Sequence, residues 1–262
     1  TPMTYSEDGF QDTGGGLLPL HIAVQRSDIS TEVVKVLLRA WNDSAKHTSP
    51  LLKTKGEDSE EGNLYLYNRS GGELAIHIAL QTENICVQTI RALVQAWPDS
   101  LKERSVIIED ACDEESDGGK LPIHYAVENK EISYDIIELL VESFPESVKK
   151  RSHLLTGSMG EERSTIARNP EHQQHLPRVL SGGGFLPLHL AVANINISSK
   201  ILTILTNQWS ESVTKRTPAT YIVDEEDRIE DQKGGDELPL TILIRNPSFL
   251  TRPFFMNTTL RT

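Results

Sequence analysis

Four histidines, His21, His77, His124 and His189, each sit inside a copy of the pattern Leu-Pro/Ala-Leu/Ile-His-x-Ala. Imidazole is the side chain best suited to proton transfer or metal ligation near neutral pH, so these are the first residues to ask about chemistry. A catalytic or metal centre needs such groups to converge on one point. These four are distributed along the chain, one per copy of a repeated segment, and a structural hydrogen bond to a neighbouring turn is the role expected of each. His172 and His175 form an H-x-x-H, but no cysteine or carboxylate pattern completes a zinc site around them. The two cysteines, Cys86 and Cys112, are too few for a disulfide framework and are not spaced as a metal knuckle. None of the glycine pairs is followed by the spacing of a phosphate-binding loop. The segment from Thr156 to Gly160 lacks the order of a nucleophile elbow. The acidic runs at 57–61, 109–117 and 224–231 lack the alternation and glycine turn of an EF-hand loop. No catalytic residue, cofactor or metal is expected, and the chain does not read as an enzyme.

What positions the histidines is a repeat. GGLLPLHIAV begins at Gly15, GGELAIHIAL at Gly71, GGKLPIHYAV at Gly118 and GGFLPLHLAV at Gly183, and a fifth copy from Gly234 carries one extra residue and has Thr241 in the histidine place. Each histidine is followed twenty residues later by an aromatic, Trp41, Trp97, Phe144 or Trp209. Three residues further comes Ser44, Ser100, Ser147 or Ser212, always preceded by an acid. Within a copy the apolar residues follow helical period. Leu20, Ala23 and Val24 form one face of a short helix starting at Pro19, a residue suited to the first helical position. Ser30 caps a second helix whose buried stripe is Val34, Leu37 and Trp41. The stripe recurs as Ile90, Leu93, Trp97, then Ile137, Leu140, Phe144, then Leu202, Leu205, Trp209, and Pro98 and Pro145 stop the helix just after the aromatic. Cys86 takes the capping place in the second copy, where a weaker cap is expected. Helices this short cannot bury their faces alone, so neighbouring pairs must stack.

The L-P-[LI]-H-x-A opening of a helix pair resembles the ankyrin repeat, over about thirty residues in each of four copies. It is most similar to the GG-x-LPLH variant of ankyrin-like proteins from unicellular algae. The resemblance implies an all-α repeat solenoid of helix pairs with extended β-hairpin fingers between repeats. The chain then divides into one domain, 1–262, with repeats 14–70, 71–117, 118–181 and 182–233 and a partial repeat 234–262. Three departures stand out. Leu18, Leu74, Leu121 and Leu186 replace the family's threonine, the link between helices lacks the usual glycine, and the histidine-to-histidine steps of 56, 47 and 65 residues far exceed a regular period.

The extra length falls after each second helix, where lengthening a loop costs only about 0.6 kcal/mol per doubling. Leu64–Tyr67, Val106–Ile108 and Tyr221–Val223 are β-prone runs inside these insertions. Three insertions are acidic. The longest opposes them with Lys149, Lys150, Arg151, Arg163, Arg168 and Arg178 against Glu161, Glu162 and Glu171. The net charge of −12 argues against nucleic acid, which demands clustered Lys and Arg. No apolar run nears the roughly 20 residues of a membrane span, and residues 1–16 lack a signal-peptide layout. The start at Thr1 is expected to reflect a processed or trimmed chain, and the sparse cysteines favour an intracellular, reducing compartment. The function expected is a protein-interaction scaffold or adaptor with one or more protein partners. The partner-binding candidates are Arg163, Arg168 and Arg178 on the basic insertion and Gln25, Gln81, Tyr125 and Glu128 on the first helices. The alternative is a permanent structural subunit of a large multiprotein assembly.

Overall fold

Each copy of the repeated segment starts with a leucine in extended conformation and then turns into helix, with proline at the first helical position in all copies but the second. A computed structural model describes residues 17–50, 53–55, 65–67, 72–106, 119–152, 178–180, 184–218, 220–223 and 229–245. Within them the chain is mostly helical. The first helices of the successive copies are α1 (Pro19–Val24), α3 (Ala75–Gln81), α5 (Pro122–Glu128), α7 (Pro187–Ala193) and α9 (Pro239–Arg245). The second helices are α2 (Thr31–Ala40), α4 (Val87–Ala96), α6 (Tyr134–Ser143) and α8 (Ser199–Gln208). Ser30, Ser133 and Ser198 cap their helices by accepting from the backbone N–H groups of Glu32, Ile136 and Ile201, whereas Cys86 makes no side-chain cap.

Each helix packs on its partner in the pair and on the equivalent helix of the next copy. Thus α1, α3, α5, α7 and α9 meet in chain order, as do α2, α4, α6 and α8. One apolar core runs through these contacts, with Leu20, Val34, Leu80, Ile90, Leu93, Ile136, Leu140 and Ile201 among its fully buried members.

The second helices depart from the expected stripe. Each ends one residue before the aromatic, so Trp41, Trp97, Phe144 and Trp209 stand just outside the helix in extended backbone, each still donating its N–H to a carbonyl four residues back. They are therefore not core: Trp97, Phe144 and Trp209 lie half-buried against it, and Trp41 is 44% exposed. The buried stripe is Val34 and Leu38 in α2, and Ile201 and Leu205 in α8, with Leu37 and Leu202 only partly covered. The chain leaves each aromatic through a 3-10 turn, Asn42–Lys46, Pro98–Lys102, Pro145–Lys149 or Ser210–Thr214. Pro98 and Pro145 hence begin the next element. The serine of the repeat is buried in every turn; Ser44 and Ser212 donate to the carbonyls of Trp41 and Trp209 at 2.6 Å.

Short strands lie in the insertions. Lys53–Lys55 (β1) pairs antiparallel with Tyr65–Tyr67 (β2), matching Thr54 with Leu66. Arg178–Leu180 (β3) pairs with Thr220–Val223 (β4), which pairs with Ile229–Gly234 (β5), so the end of the third insertion joins the fourth. In the fifth copy α9 forms, with Thr241 exposed, and residues 246–262 lie outside the described ones.

Candidate functional site

The four histidines occupy one environment four times over. Each is the third residue of its helix and fully buried. Its Nδ1 accepts the backbone N–H of the leucine that precedes the helix: Leu18 to His21 at 3.3 Å, Leu74 to His77 at 3.2 Å, Leu121 to His124 at 3.0 Å and Leu186 to His189 at 3.1 Å. This is the acceptor role that Glu or Gln plays in a capping box. Because Nδ1 accepts, Nε2 carries the proton, and it donates to a carbonyl twenty-six residues on: His47 at 2.9 Å, Glu103 at 3.2 Å, Lys150 at 3.1 Å and Lys215 at 2.8 Å. The ring thereby ties the start of each helix pair to the end of its 3-10 turn. Burial without a counter-ion penalises the imidazolium, holding His77 down to about 4 and His124 to about 3. His21 and His189 are lowered for the same reason. These are neutral hydrogen-bonding rings, in four separate places. Among the described residues no group of three or more His, Cys, Asp and Glu side chains is placed to hold a metal ion, and no helix is long and apolar enough to cross a membrane.

Directly after each clasped carbonyl the chain reaches the foot of an insertion, and the two sides of every foot are bonded. Ser49 donates its N–H to the Glu73 carbonyl at 2.7 Å, Ser105 to Lys120 at 3.0 Å, Ser152 to Phe185 at 2.8 Å and Thr217 to Glu237 at 2.9 Å. The hydroxyl of the same Ser or Thr accepts the returning N–H of Glu73, Lys120, Phe185 or Glu237. The second glycine of each pair, Gly72, Gly119, Gly184 and Gly235, has φ between 60° and 78°, a region where a Cβ would clash. That conformation turns the chain into the next helix.

The feet are also bonded to one another. Arg104 donates to the Gly119 carbonyl of its own foot and, at 2.7 Å, to the Arg151 carbonyl of the next. Arg151 does the same to Gly184 at 2.6 Å and Arg216 at 2.9 Å, and Arg216 reaches the Asp236 carbonyl at 2.6 Å. A second ladder runs at the far end of the first helices. The Asn129 amide donates to the Leu80 and Thr82 carbonyls, the Asn194 amide donates to the Val127 and Asn129 carbonyls, and the Thr82 hydroxyl donates to the Val24 carbonyl. Neither ladder is among the features expected from the sequence. The signal for both is present as fixed offsets: arginine twenty-seven residues after the histidine in three copies, Ser or Thr twenty-eight after it in four, and Thr or Asn five after it in three.

Of the expected binding residues that are described, only Gln25 and Gln81 line one groove. Arg163 and Arg168 lie outside the described residues, as does the side chain of Arg178, whose backbone is in β3. Gln25 and Gln81 are exposed beside a shallow groove with Glu73 and Glu83, and the Gln81 amide donates to Glu73 at 2.6 Å. Glu128 is half-buried and accepts from Lys120 at 3.1 Å. Tyr125 corrects the expectation of a surface residue. It is 6% exposed, packs its ring 5.5 Å from that of His77 and donates its hydroxyl to Ser105 at 2.9 Å. Its ring fills the step between α3 and α5, which is why an aromatic is accommodated there. No protein-family model matches the chain, and no curated protein matches it.

Proposed function

We propose that the chain is an ankyrin-like repeat solenoid acting as a protein-interaction scaffold, which holds a macromolecular partner through its long insertions and the adjoining first-helix surface. The observation that carries this reading is the row of bonded insertion feet. Each insertion leaves and re-enters the fold across one Ser/Thr-to-backbone pair, Arg104 ties the second foot to the third and Arg151 the third to the fourth, and Arg216 braces the fourth. A rigid base with variable loops is a recurrent way to place binding residues, because the loops change without cost to the core. The histidines, which would be the natural candidates for chemistry, are engaged on both nitrogens in holding each pair closed. Charge divides the insertions as recognition requires: three acidic fingers suit a basic partner surface, and the basic residues from Lys149 to Arg178 suit an acidic patch.

The test is capture of partners from the source cell by the intact chain and by two variants. One replaces residues 155–178 with a short Gly-Ser linker, and the other carries Arg163→Glu, Arg168→Glu and Arg178→Glu. Both are expected to lose the same partners while unfolding as cooperatively as the parent. Retention of every partner by both variants moves the contact surface to Gln25, Gln81 and Glu128. Retention after those three are also changed to alanine overturns the proposal.

A further inference from the structure

The end of the fold formed by α1 and α2 is built as an interior surface. Ile22, Val33 and Val36 are 40%, 45% and 56% exposed. Their counterparts in the later copies are covered. Ile22 corresponds to Ile78 and Tyr125, both buried, and to the half-buried Leu190. Val33 corresponds to Thr89, Ile136 and Ile201, all buried. Val36 corresponds to Ala92 and Leu139, both buried, and to Ile204, which packs against the core. In those copies the cover is the preceding helix pair, since α4 packs on α2, α6 on α4 and α8 on α6. A terminal repeat that ends a stack needs a polar outer face; this face is apolar at the three positions where interior repeats are apolar or tightly packed.

Two further features point to the same occupant. The place five residues after the histidine, from which Asn129 and Asn194 bond carbonyls of the preceding first helix, holds Arg26, whose guanidinium is exposed and paired with Asp28 at 2.9 Å. Arginine carries donors for the same kind of carbonyl. Ahead of Leu18 stand Glu7, Asp8, Asp12 and then Gly14–Gly16, the acidic-then-glycine order that leads back from the second insertion into Gly118 and Gly119.

We infer that the α1–α2 face receives another helix pair of the same repeat class, stacked ahead of α1 in the register of the interior repeats. This rests on the solenoid reading of the chain. The test joins a duplicate of residues 118–152, an interior helix pair with its turn, directly ahead of Thr1 of the full chain. Its thermal unfolding is compared with the parent's, each also carrying Val33→Asp or Val36→Asp. The fusion is expected to melt several degrees higher in one transition. Either aspartate should leave the parent nearly unchanged, because the site is open to water there, and should abolish the gain in the fusion. No gain, a separate transition for the added pair, or an equal effect of the aspartates in both proteins overturns the inference. So does a parent that sediments as a dimer dissociated by Val36→Asp, since the occupant is then a second copy. Ile136→Asp, the Val33 place two copies on, reports on the solenoid itself: if it leaves the parent's melting unchanged, the stacking reading has failed, whereas a large loss there with no gain from the fusion refutes only the end-face inference.

Discussion

Protonating any one of the clasped histidines removes an acceptor and places a second N–H against the N–H of the preceding leucine. The folded state therefore holds these rings neutral, with His77 at about 4 and His124 at about 3, while in the unfolded chain they titrate near the ordinary 6.5. Between those values the unfolded chain binds more protons than the folded one, so acid favours unfolding. Their contribution is complete above about pH 6.5 and is lost as pH falls toward 4 and then 3, with a slope up to about 1.4 kcal/mol per pH unit for each ring. Urea titrations from pH 7 down to pH 4 should show stability declining through this window, and His77→Gln should flatten the profile by about one proton's worth. At pH 7 His124→Ala is expected to cost about 3 kcal/mol or more, because the Leu121 N–H and the Lys150 carbonyl lose their partner in the interior, at roughly 1–3 kcal/mol per orphaned group. A change at another single residue should act in the opposite direction. Cys86 occupies the place where serine caps the other second helices, so Cys86→Ser is expected to stabilise by about 0.5–1 kcal/mol in chemical denaturation.

At the scale of the helices, burial separates two positions that look alike as sequence. Leu93 and Leu140 are fully enclosed, and truncating either to alanine should cost about 2–5 kcal/mol as a cavity. Trp41 is the larger side chain and belongs to the same periodic stripe, yet it lies half open to water beyond the end of α2. Trp41→Ala should cost about 1 kcal/mol or less, and a cost equal to that of Leu93→Ala would mean that the aromatic is core after all. The periodicity of the apolar residues located the second helices and their inward side. It could not say where each helix stops, because an i, i+7 aromatic satisfies the pattern whether it is the last helical residue or the first one beyond. What decides is the 3-10 turn that follows, where the buried Ser44 and Ser212 hydroxyls hold the Trp41 and Trp209 carbonyls.

Over the whole chain, the bonded feet predict that insertion length and fold stability are nearly independent. Replacing residues 155–178 by a Gly-Ser linker leaves Ser152, Phe185 and the Arg151 bonds to Gly184 and Arg216 in place, so the denaturation midpoint should move little, as loop closure depends weakly on length. Arg151→Ala, which alters one side chain but cuts two feet apart, should cost more than removing the whole insertion, by about 1–3 kcal/mol. The sequence by itself determined the helical class, the places of the helix pairs, the glycines with positive φ and the structural standing of the histidines, because each follows from local spacing repeated four times: an apolar period, a proline or serine at a helix start, a glycine before it. Only the tertiary structure decided what those residues bond to. The carbonyl that takes each histidine's proton is twenty-six residues away, the foot of the longest insertion closes between Ser152 and Phe185, and Asn194 reaches back to Val127. Such partners are set by which backbone groups the packing of α1 to α9 leaves without an intrahelical bond; fixed offsets in the sequence mark the donors that recur but not the carbonyls they reach. The same cause moved Tyr125 from the surface to the interior: in the sequence it is a polar aromatic on a short helix, and only the close approach of α3 and α5 encloses it and brings Ser105 to its hydroxyl.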